Sequence, residues 1–132
     1  MPKTQISTPA LRTPPGVFSQ ATAIETAGRL VFVSGMTARR ADGSIAGTGD
    51  VREQTRQVCE NLRAAMDAAG GTLADICRVD VYVKDINDFD KIHEIRAEYF
   101  STPLPASTMV EVSALVHPDY LIEISAIAVV GS

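Results

Sequence analysis

From Leu121 to Val130 the chain reads Leu-Ile-Glu-Ile-Ser-Ala-Ile-Ala-Val-Val, apolar at almost every position. Successive side chains of a strand point to opposite faces, so a strand apolar on both faces must be covered on both. Only Glu123 and Ser125 interrupt the run. Such a strand belongs inside a sheet, with helices on one face. The other face then needs a second apolar partner, and another copy of the chain is the simplest one. A closed homo-oligomer is expected on this ground.

The rest of the chain supplies the remaining layers. Val51, Thr55, Val58, Leu62, Ala65, Met66 and Ala69 recur at helical spacing, which predicts an amphipathic helix opened by Asp50 and Glu53 and ended by Gly70-Gly71. Gln54 is placed off its apolar face. Ile76 to Lys84 alternates, with Cys77, Val79, Val81 and Val83 on one side and Arg78, Asp80, Tyr82 and Lys84 on the other, as in a half-buried strand. A second helix is expected over Phe89 to Phe100, buried through Phe89, Ile92, Ile95 and Tyr99 with Arg96 left out, and closed by Ser101-Thr102-Pro103. Leu30 to Val33 reads as a buried strand, Phe18 to Glu25 as a short one, and Thr108 to Val112 as the first of the two strands that close the chain. Residues 1–15 read as an extended lead-in. The whole, residues 1–132, is expected to be one α+β domain with two helices on one face of a mixed sheet.

Composition excludes several function classes. Formal net charge is −4, and the densest cationic spot is Arg39-Arg40, so a polyanion is not the expected partner. The proline-bearing N-terminus lacks a signal-peptide core, and no apolar run reaches membrane-spanning length, so a cytoplasmic location is expected. Cys59 and Cys77 form no CxxC pair and read as core thiols. The glycines at 43, 47 and 49 do not have nucleotide-loop spacing. His93 and His117 match no metal-ligand spacing, so no metal is expected.

Glu123 is the residue that asks for chemistry. An isolated carboxylate in an apolar strand is costly unless it is paired or functional, and burial would make it an acid or base near neutral pH. The alternative is a glutamate that reaches solvent or caps backbone groups.

Several segments together resemble the Rid (YjgF-like) family of enamine and imine deaminases. They are Gly16-Val17-Phe18-Ser19-Gln20, Val33-Ser34-Gly35, the helix from Gln54-Thr55-Arg56 to Glu60-Asn61, and Val81 to Phe89. The C-terminal signature comprises Pro105 to Val112 and Ile122 to Ala128. The resemblance runs from about Gly16 to Val130. It implies a chorismate-mutase-like fold and a homotrimer with small-molecule clefts between neighbouring subunits. In the deaminating members an arginine holds the substrate carboxylate and a glutamate positions the attacking water, and no cofactor is required. Carried onto this chain, Glu123 matches the glutamate, and Ser34 and Gly35 match the cleft-lining pair. Phe18 stands in place of a tyrosine, and His93 in place of an asparagine.

Ser107 stands where the resemblance implies the arginine. A serine offers one hydroxyl and no charge, whereas arginine offers a permanent charge and a planar fork of five donors. Arg39-Arg40, Asp42-Gly43 and His117-Pro118 are similar to the branch of the family that deaminates 2-aminomuconate, so His93, His117 or Arg39 is a candidate anchor for an altered substrate. The leading reading is a deaminase with a non-archetypal substrate. The alternatives are a non-catalytic binding or regulatory trimer and, below it, the endoribonuclease activity sometimes attached to the family.

Overall fold

Asp50 caps the longest helix as its sequence predicts: its carboxylate accepts from the backbone N–H groups of Arg52 and Glu53 at 3.1 and 3.2 Å. In the computed structural model, which describes residues 3–24 and 27–131, this helix is α1, Val51–Ala68. Gly70 follows it in the left-handed region, φ +84°, where only glycine is unstrained. Around it lie β1 (Lys3–Ile6), β2 (Ala21–Ile24), β3 (Arg29–Met36), β4 (Ile76–Val83), α2 (Phe89–Tyr99), β5 (Ala106–Glu111) and β6 (Ile122–Val130).

The main sheet has the order β3-β6-β4-β5, and β1 and β2 form a separate antiparallel pair. β6 runs antiparallel to both neighbours, whereas β4 and β5 are parallel and joined through α2. The sheet is therefore mixed, and the doubly apolar strand is central. Val58, Leu62 and Met66 of α1 and Ile92 of α2 share one buried cluster with Val79, Val81, Ile122, Ile124 and Ala126. Both helices therefore cover the same sheet face.

Four sequence expectations change. The lead-in is not merely extended: Lys3–Ile6 pairs with Ala21–Ile24, and the Lys3 ammonium donates to the Ile76 carbonyl at 2.6 Å. The expected strand from Phe18 shortens to Ala21–Ile24, and Glu25 lies outside the described residues. The strand from Leu30 is not wholly buried, because Val31 and Val33 face the core whereas Leu30 and Phe32 point to the helix-free face; Leu30 is 55% and Phe32 70% exposed. Finally, Gln54 and Arg96, both set outside the apolar faces, are fully buried. Each is held by polar partners distant in sequence, which helical periodicity does not reveal. No helix among the described residues is long and apolar enough to cross a membrane.

Candidate functional site

β3 and β6 stay in register through Val33↔Ala126, then slip so that Met36 meets Ile124. Ser34 and Gly35 thus face the single residue Ser125, which is a β-bulge. The bulge makes room for Glu123. A Cβ on Gly35 would stand 2.7 Å from Glu123 Cδ and closer still to Oε2, so the carboxylate occupies the space that only glycine leaves open.

Beside this carboxylate is an open groove of about 600 Å³, lined by Gly35, Tyr82, Glu123 and Ser125 and walled by Val112, Ala114, Leu115 and Val116. Tyr82 pairs across with Glu123, and Asp80 with Ser125, so the groove lies on the helix-free face. The groove offers an acid–base group, two hydroxyls and an apolar wall. Sequence reading missed Tyr82 and Ser125 as site residues. The alternation of β4 placed Tyr82 outward, but only strand register puts it next to Glu123.

Arg39 and His117 gather around Tyr120 at the same end of the sheet. Arg39 Nε donates to the Tyr120 hydroxyl at 2.6 Å, and Nη1 donates to the Gly43 carbonyl at 2.6 Å. The guanidinium also lies over the Tyr120 ring, 5.4 Å from its centroid, and His117 packs against the same ring. The Thr37 hydroxyl beside Tyr120, and then Arg39, hold its phenol below the usual range, and Glu123 is near enough to oppose them. Two donors of Arg39 are therefore committed within the chain. Gln54 fastens this end. Its amide donates to the carbonyls of Gly47 and Asp119 at 3.3 and 2.7 Å and accepts from Leu121 N–H at 2.8 Å.

Phe18, His93 and Ser107 belong to a second neighbourhood. Ser107 pairs with Val79, three residues from the Tyr82 that pairs with Glu123. An odd offset reverses the face, so Ser107 points to the helix side and Glu123 to the groove side. Within one chain the two do not converge. Ser107 instead meets Arg96, whose Nη2 donates to the Ser107 hydroxyl and to the Val17 carbonyl, both at 3.1 Å. Burial pulls the Arg96 pKa down to about 10, and its Nε has no partner among the described residues.

His93 lies one turn before Arg96 on α2. Its ring stacks on Phe89 at 3.9 Å and fills the space beside Gly16, where a Cβ would overlap it. His93 Nδ1 lies 3.2 Å from the Phe89 carbonyl. A carbonyl only accepts, so this contact puts the proton on Nδ1 and leaves Nε2 as an acceptor. That Nε2 is buried and unpartnered. Burial first, and the Arg96 charge second, lower the His93 pKa. Phe18 enters through its segment, which is tied to the start of β5 by the Ser19 N–H on the Pro105 carbonyl at 2.8 Å.

These features define a single-domain α+β protein with two polar neighbourhoods on opposite faces of one mixed sheet. The chain belongs to the Endoribonuclease L-PSP family, whose model matches residues 10–130, and so to the Rid group of proteins. It is 46% identical over 115 residues to a RutC family protein of Pyrococcus horikoshii, covering 87% of this chain and 88% of that one. It is 32% identical over 129 residues to a 2-iminobutanoate/2-iminopropanoate deaminase of Dermatophagoides farinae, covering 98% of each. The crystal structure of the Rid-family protein YyfB from Yersinia pestis superposes with a TM-score of 0.91 at 32% identity, covering 98% of this chain and all of that one.

Proposed function

We infer that the chain hydrolyses an enamine or imine of a small metabolite to a carbonyl compound and ammonia. The observation that carries this reading is the Glu123 carboxylate, held over Gly35 at the edge of an open groove with the Tyr82 and Ser125 hydroxyls. The likeness to an iminobutanoate deaminase over 98% of both chains supports it.

The chemistry asks little of the protein. Water adds to the carbon of a protonated C=N bond while Glu123 takes one of its protons, giving a carbinolamine. Glu123 passes that proton to nitrogen, then takes the hydroxyl proton as the C–N bond breaks and the C=O bond forms, and ammonia leaves. The groove's apolar wall limits competing water, and its hydroxyls orient the adding one.

Ser107 and Glu123 lie on opposite faces, so a cleft that uses both draws them from two copies. A homotrimer closed through the helix-free face supplies that arrangement, with each small-molecule cleft between neighbours. The exposed Leu30 and Phe32 are the apolar contribution to it. The second reading, a binding or regulatory trimer without catalysis, draws on the serine at position 107. An acidic chain with charge −4 disfavours RNA as substrate.

Ammonia release decides between them. 2-Iminopropanoate and 2-iminobutanoate are generated in situ, 2-aminomuconate is offered separately, and release is compared with the uncatalysed rate. Acceleration that drops by about 100-fold or more in Glu123→Gln supports the deaminase. No acceleration with any of the three leaves the binding reading.

A further inference from the structure

Arg96 is the largest fully buried side chain among the described residues, 1% exposed. Buried guanidinium groups are normally matched by a carboxylate, because an uncompensated charge in the interior is expensive. None of the ion pairs among the described residues includes Arg96. One nitrogen carries its two hydrogen bonds, to a carbonyl and a hydroxyl, and Nε carries none. One turn earlier on α2, against Gly16, His93 Nε2 is a second buried atom without a partner among the described residues.

The Arg96–Ser107 contact has a direction. The Ser107 oxygen accepts from the guanidinium, so its own proton is free to point away, along the partly exposed edge where β5 meets the 16–19 segment. Hydrogen bonds arranged in series polarise one another, and a cation behind a hydroxyl makes it a better donor to an anion in front. The hydroxyl is small enough to leave that approach open. An arginine at position 107 would place a second cation against Arg96, so the serine and the buried arginine form one unit.

We propose that Ser107 and Arg96 together seat the carboxylate of the ligand, with the Ser107 hydroxyl donating to it and Arg96 supplying the charge from beneath. The ligand class is a small 2-oxo or 2-imino carboxylic acid. Arg96 acts through Ser107 and is a positioning residue. This inference rests on the deaminase reading for the identity of the ligand but not for the existence of the seat.

The test compares equilibrium binding of 2-oxobutanoate with that of its neutral amide, 2-oxobutanamide, by calorimetry on the full chain. The wild type is expected to prefer the acid. Arg96→Met should weaken the acid by about 30-fold and the amide by no more than about twofold, with Arg96→Lys recovering part of the loss. Ser107→Ala, which removes one oxygen and leaves the fold intact, should weaken the acid by about tenfold. Equal binding of acid and amide by the wild type overturns the proposal, as does acid binding in Ser107→Ala within about twofold of wild type. Parallel loss of both ligands in Arg96→Met would assign Arg96 to structure alone. Ammonia release is measured separately. A wild type that binds the acid through Arg96 but releases no ammonia keeps the seat and loses the deaminase; turnover untouched by Arg96→Met does the reverse.

Discussion

Gly35 lies under the carboxylate of Glu123 so closely that a single added Cβ would stand 2.7 Å from Cδ. The φ of Gly35 is not positive, so the position needs glycine for space and not for backbone conformation. Gly35→Ala should therefore fold. Its methyl group would push the end of a flexible side chain, shifting the melting temperature by no more than about 3 °C. The displaced carboxylate should cost about tenfold or more in kcat, because small misplacements of a reacting group are expensive. Parallel thermal melts and turnover measurements check both halves.

Gln54 joins two loops that flank the groove end of the sheet, through three hydrogen bonds made from a side chain with no exposed surface. Gln54→Leu keeps the size but leaves the Asp119 carbonyl and the Leu121 N–H without that partner. Unfolding in urea should show a loss of about 2–4 kcal/mol. Retained stability would mean that water replaces the amide.

His93 gives the protein a pH signature. Its folded pKa is lowered, by burial first and Arg96 second, so the unfolded chain binds the proton more tightly. The stabilisation from neutral His93 is thus complete above the unfolded value near 6.5. It drains away as pH falls from there toward the folded pKa. Groups facing the ring include Asp90, which opposes the shift. Stability measured at pH 7.5 and pH 5.5 should fall more steeply for the wild type than for His93→Gln; identical slopes would contradict this.

Phe32 is 70% exposed on edge strand β3, and Leu30 is 55% exposed on the same side. An apolar patch of this kind is best explained by association. Phe32→Glu should shift sedimentation from trimer toward monomer while leaving the circular dichroism of the fold in place. A wild type that sediments as a monomer would remove the shared-cleft proposal altogether.

Much of this architecture is legible in the amino-acid order because burial imposes a period. The α1 stripe, the alternation of β4 and the apolar β6 each follow from local spacing, and Glu123 stands out against that background. Other features have no local period. Lys3–Ile6 carries no alternating apolar pattern, and its pairing with Ala21–Ile24 is decided by contacts 15 to 21 residues away. Arg96 occupies a position four residues beyond Ile92, within reach of the buried stripe, yet its charge argues for exposure. Val17 and Ser107, from two other parts of the chain, supply the polar partners that allow its burial.

The sequence alone determined the two helices, the main-sheet strands and most of their apolar positions, because side-chain periodicity is a local property of helices and strands. It also marked Glu123 as a carboxylate out of place and Ser107 as an anchor without a charge. Only the tertiary structure decided which polar groups meet. Strand register sets Tyr82 beside Glu123 and turns Ser107 to the opposite face, and helix packing brings the Arg96 guanidinium beneath the Ser107 hydroxyl. Both outcomes depend on pairings between distant segments, and a one-residue change in register would reverse the first.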